Sequence, residues 1–113
     1  MNKTERIASE IMKRLSVLIK DNVRDPRVSA CIVGITDVRV DPELSRALVS
    51  VSVYGGDGEQ AVDGLNHSAG FLRSRLKELM EIRTMPALKF VLDRGAQYSQ
   101  EIEDLLKKIR TEQ

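Results

Sequence analysis

Tryptophan is absent, and only two tyrosines and two phenylalanines stand among the 113 residues. So small an aromatic set leaves little from which to build a base-stacking platform for single-stranded nucleic acid. Phe71 and Phe90 are read as core, which reduces it further. A lone cysteine, Cys31, excludes an internal disulfide, and its place within an expected strand makes it a small buried hydrophobe. His67 is the only histidine. One cysteine and one histidine cannot supply the usual zinc ligand set, so no metal or cofactor is expected. A nucleophilic triad would have to assemble around His67 alone, and the carboxylates are scattered among basic neighbours. The chain therefore reads as a non-enzyme. No apolar run approaches the roughly 20 residues needed to cross a bilayer. The start, Met-Asn-Lys-Thr-Glu-Arg, leads into an amphipathic pattern rather than a signal peptide. A cytoplasmic protein without membrane contact is the expectation.

What is present suits one soluble domain spanning residues 1–113: 42% hydrophobic and 31% charged residues, with no internal repeat. Net charge is only +1, but the distribution is uneven. Residues 1–29 hold seven basic and four acidic side chains, residues 30–64 two and six, and residues 65–94 six and three. A polarised field steers an anionic partner more than net charge does.

Asn2 and Glu5 have the spacing of a capping box. Ile7, Ile11, Leu15, Leu18 and Ile19 then mark the apolar face of a helix, with Lys3, Arg6, Lys13, Arg14 and Lys20 opposite. Pro26 ends that helix near residues 22–25. Arg24 and Arg27 flank the proline, where they either complement the helix dipole or contact an anion. From Ala30 to Val40 the period becomes two, with a slip at Thr36-Asp37. Asp41-Pro42-Glu43 is turn chemistry, and Ala47, Val49, Val51 and Val53 alternate as a second strand of an antiparallel hairpin. Gly55 to Gly58 lacks the spacing of a nucleotide-binding loop, and Asp57 with Gln60 reads better as a helix cap. Ala87 to Asp93 reads as a third strand. Ser99 can cap a last helix carrying Ile102, Leu105, Leu106 and Ile109.

Between the second and third strands, Val62, Leu65, Ala69, Leu72, Leu76, Leu79 and Met80 form one helical stripe that runs through Gly70. Glycine inside a helix costs about 1 kcal/mol relative to alanine. Either a kink at Ser68-Ala69-Gly70 joins two short helices, or Gly70 relieves crowding against a strand. Arg73, Arg75 and Lys77 follow, so an elbow of small residues beside cations admits a phosphate backbone. The expected fold is α+β, in the order α-β-β-α-kink-α-β-α. Its three-stranded sheet has helices over one face, and its other side is partly wet.

That order resembles the bacterial type of KH domain (type II), although the Gly-x-x-Gly loop that clamps RNA there is missing. With Ser68-Ala69-Gly70 in its place, the sequence resembles the ribosome-binding factor A family over nearly its whole length. The matching segments are Arg6 with its helix, Lys20 to Arg27, Ile35 to Val38, and Asp41 to Ala47. The most specific is Arg83-Thr84-Met85-Pro86-Ala87-Leu88-Lys89-Phe90-Val91-Leu92-Asp93, which fits Arg-x-x-Pro-x-Leu-x-Phe-x-x-Asp. Ser68 replaces the family's usual alanine, and the chain stops at Gln113 without the longer charged tail of some members. The resemblance implies a monomer that binds the small ribosomal subunit and its rRNA. It implies late maturation near the 5′ end of that RNA, with particular need in the cold. The residues expected at RNA, read from the basic side chains and the small-residue elbow, are Lys3, Arg6, Lys13, Arg14, Ser68, Ala69, Gly70, Arg73, Arg75 and Lys77, with Arg24 and Arg27 either joining them or only finishing a helix. A protein-interaction or dimerisation module using the exposed sheet side or edge is the competing expectation. A nucleotide-binding domain using Gly55 to Gly58 is a third.

Overall fold

The computed structural model describes residues 2 to 94. They form α1 (Lys3–Asn22), α2 (Pro26–Ser29), β1 (Ile32–Val40), β2 (Arg46–Tyr54), α3 (Gly58–His67), α4 (Ala69–Leu79) and β3 (Ala87–Leu92). The helix expected after Ser99, together with Tyr98, lies outside the described residues.

Asn2 caps α1, its side-chain oxygen accepting from the Glu5 amide at 2.8 Å. The return arm differs from a full capping box, because the Asn2 side-chain amide donates to the Glu5 carboxylate at 3.4 Å. The five predicted apolar residues of α1 are the five it buries. Beyond Val23 the chain turns at once into α2, an element absent from the sequence reading. Pro26 ends one helix and starts another, because a proline at the first helical position gives up an amide that has no intrahelical partner. Asp25 caps this short turn by accepting from the Arg27 amide.

The sheet order is β1-β2-β3, with β1 antiparallel and β3 parallel to β2. The parallel pair needs a crossover, which α3 and α4 supply. The expected slip is a bulge between Ile35 and Asp37, where the Thr36 hydroxyl donates to the Ser50 carbonyl at 3.2 Å. At the hairpin turn the Asp41 carboxylate is buried and accepts from the Ser45 and Arg46 amides and the Ser45 hydroxyl. Burial works against its charge, but those donors outweigh it and hold the carboxyl below its ordinary value.

Ala47, Val49, Val51, Leu88 and Phe90 share one core with Ile11 and Leu15 of α1, Leu65 of α3, and Leu72 and Leu76 of α4. The helices thus cover one sheet face, as expected. Asn66 ties α3 to β3 by donating to the Phe90 carbonyl at 3.0 Å and accepting from the Phe90 amide at 2.8 Å. The second face is wet at its edge, where Ile32 and Tyr54 pair in register and are 72% and 65% exposed. Its centre is dry. Leu48 is 2% exposed, and it lies in register between Arg39 and Lys89.

Candidate nucleic-acid interface

The predicted elbow at Ser68-Ala69-Gly70 exists, and within it Ser68 is the residue that leaves the helix. α3 ends at His67, and Ser68 adopts φ −90°, ψ 0°. Its amide is shared between the carbonyls of Gly64 at 3.1 Å and Leu65 at 3.0 Å, and its own carbonyl starts α4 by accepting from Leu72 at 3.0 Å. The Ser68 side chain makes no cap hydrogen bond. Gly70 lies inside the first turn of α4, exposed, and a Cβ built on it would meet nothing within 4 Å. It relieves no crowding against a strand. It leaves backbone uncovered at a helix start, where the leading amides lack intrahelical acceptors. The glycine that permits close packing is Gly64, whose Cβ would come within 2.9 Å of Val28 Cγ2 and 3.2 Å of Asp25 Cγ.

Phe71 corrects the sequence reading. It is 49% exposed, because the buried side of α4 is set by Leu72 and Leu76 and Phe71 falls about 100° away from Leu72. Phe90 is fully buried, as expected.

The basic residues divide by what they already hold. Arg73 Nε donates to the Met85 carbonyl at 2.9 Å, fastening α4 to the segment before β3. Arg75 pairs with Glu78 at 3.1 Å, and its buried Nε has no partner. Arg14 pairs with Glu10 at 2.9 Å. Arg27 holds Asp25 at 2.8 Å. The Arg27 guanidinium, then the Arg27 amide and the nearby His67, pull the Asp25 carboxyl down to about 2. In contrast, Lys3, Arg6, Lys13, Lys20, Arg24 and Lys77 are exposed and have no partner among the described residues. Lys3, Arg6, Lys13 and Lys20 occupy one solvent-facing sector of α1 about 100° wide.

The structure does not gather all of these at the elbow. α2 packs beside α3, so Asp25 and its partner Arg27 sit close to Gly64 and His67. Lys3 and Arg6 lie at the other end of α4. There, with Glu10, they face Glu81, Ile82 and Arg83 across a cleft of about 180 Å³. The 11 residues of α4 put the two places about 16 Å apart. Arg83 entered the sequence reading only as part of a motif; its position opposite Arg6 depends on how α4 returns along α1, which spacing cannot reveal.

Among the described residues no cluster of three or more histidine, cysteine, aspartate or glutamate side chains could hold a metal ion. No described helix is long and apolar enough to cross a membrane.

Comparison with known proteins adds a second line of observation. The family model described as ribosome-binding factor A matches residues 3–106. A protein of that description from Finegoldia magna is 37% identical over 114 residues, covering 99% of this chain and 94% of its own. The crystal structure of ribosome-binding factor A from Thermus thermophilus superposes with a TM-score of 0.73 at 22% identity, covering 82% of this chain and 98% of that one. A Thermus thermophilus homology model of the same factor, fitted into the cryo-electron-microscopy map of its complex with the 30S subunit, gives a TM-score of 0.57 at 21% identity. It covers 76% of this chain and 94% of that one.

Proposed function

The chain belongs to the ribosome-binding factor A family, and on that premise we propose that it binds the small ribosomal subunit as a non-catalytic assembly factor. The observation that carries this reading is the stripe of unpartnered cations on α1. Lys3, Arg6, Lys13 and Lys20 share one side; of the two acids in the same sector, Glu10 is taken by Arg14 and Asp21 stands in the last turn beside Lys20, so the sector keeps a basic excess. Such a surface meets ribose-phosphate backbone by charge and shape, without base readout. The uncovered backbone at Gly70 and the free Lys77 offer a second point of contact at and beyond the elbow. Arg73 and Arg75 contribute less than their charge suggests, since each is held within the fold.

The factor acts as a monomer in the cytoplasm, on late precursor subunits and near the 5′ end of their RNA. A binding protein shifts an RNA folding equilibrium only by its differential affinity for the two RNA states. It therefore matters most where misfolded RNA persists, as in the cold. The test is co-sedimentation with immature small subunits at about 50–100 mM salt, where phosphate contacts are strong. Lys13→Glu and Lys77→Glu should each reduce recovery with the subunit while leaving the fold intact. Undiminished binding by both folded variants would remove the basis of this reading.

The exposed Ile32 and Tyr54 pair favours one alternative, association of two copies through the hairpin's open end. A monomer mass from size-exclusion chromatography with light scattering retires it.

A further inference from the structure

We propose that the cleft between the first turns of α1 and the segment after α4 seats one backbone phosphate of RNA, held between Arg6 and Arg83 with Lys3 at its rim. This deepens the reading above and rests on it. Three cations line the cleft, and none has a hydrogen-bond or ion-pair partner among the described residues. Of its two carboxylates, Glu10 is engaged by Arg14 at 2.9 Å. The local balance is therefore positive, although the chain as a whole is nearly neutral.

The walls add to this. Ile7 and Met80 are buried beside the cations, and Ile82 is half-buried. Apolar surroundings lower the effective dielectric and strengthen each charge interaction. A volume of about 180 Å³ exceeds that of several water molecules and accommodates a phosphate group between two guanidinium forks, which bind phosphate in bidentate fashion. The N-terminus of α1 is already capped by Asn2, so side chains, not the helix end, make the site. The cleft also stands one helix length from the elbow, so an RNA strand held at both would span several phosphates.

The test counts phosphates. Purified small subunits are sedimented with wild-type protein, Arg6→Ala, Arg83→Ala and the double variant over a range of salt, with circular dichroism melting to confirm folding. In a plot of log affinity against log salt, one phosphate contact contributes a slope of about 0.7–0.9. If both arginines hold the same phosphate, the double variant loses about one such contact in total and no more. A loss of two contacts would mean separate phosphates, and an unchanged slope would mean none. Either result overturns the proposal.

A second arm uses inorganic pyrophosphate with the free protein. Saturable amide shifts at Arg6, Ile82 and Arg83, abolished in the double variant, are expected; their absence overturns the site. Wild-type protein that fails to sediment at all refutes the functional reading itself. Wild-type binding with unaltered slopes in the variants refutes only the cleft.

Discussion

Asp25 does three things at once. Its carboxylate caps α2, grips Arg27, and packs against the space left open by Gly64. With its folded-state value near 2 and an unfolded value near 3.9, the sign of its pH effect is fixed. The group is depressed on folding, so its contribution is present above about pH 4 and disappears as pH falls through about 2. Asp41, held below its ordinary value by Ser45 and Arg46, acts in the same direction. Asparagine is as good a cap as aspartate, so Asp25→Asn isolates the charge. The variant should be less stable than wild type at pH 7 by urea unfolding, and the gap should close by about pH 2. A gap that stays constant down to that pH would mean the charge pair is not its source.

At the scale of elements, two glycines separate what packing requires from what a contact surface requires. Gly64→Ala forces a Cβ against buried Val28 and against Asp25, and should destabilise the protein by about 1–3 kcal/mol. Gly70→Ala adds a methyl into open space within a helix and should raise stability by up to about 1 kcal/mol. If RNA approaches the bare backbone at the elbow, the same change should weaken subunit binding. Thermal melting and sedimentation of the two variants decide the matter: a Gly70→Ala protein that binds as well as wild type means the elbow is not approached closely.

The sequence pattern pointed to Gly70, because the apolar stripe marks where a helix passes and glycine marks where it is weak. The break falls within the expected Ser68-Ala69-Gly70 elbow, but spacing alone could not show which of the three residues leaves the helix. The hairpin, the bulge, the Asp57 cap at 3.1 Å from the Gln60 amide and the two-helix crossover were legible because each is set by neighbours in the chain. α2, the exposure of Phe71, and the bond from Arg73 to a carbonyl 12 residues away were missed. The Arg73 bond depends on which segment arrives beside α4. In contrast, α2 and the exposure of Phe71 follow from local signals that the periodicity reading passes over: Asp25 before Pro26 as a cap and helix start, and the place of Phe71 off the apolar stripe.

Across the whole molecule, charge is arranged by the fold and not by composition. The segment containing β1 and β2 carries the acidic excess, while α1 and the residues from α4 onward carry the basic one. With net charge near neutral, long-range attraction to a subunit is modest, and affinity rests on the number of phosphates neutralised at close range. A Lys13→Glu, Lys20→Glu double variant removes two members of the α1 stripe that make no internal bond. Because Lys20 stands in the last turn of α1, its reversal opposes the helix dipole and should lower the melting temperature by a few degrees without unfolding the protein. Its binding defect should be large at low salt and shrink as salt rises. Each lost phosphate contact narrows the difference from wild type by about threefold between 50 and 200 mM. A defect that stays the same across that range would assign the stripe to shape complementarity with a protein rather than to counterion release from RNA. Subunit affinity measured at four or five salt concentrations separates the two, because only a polyelectrolyte partner gives a wild-type line steeper than the variant's.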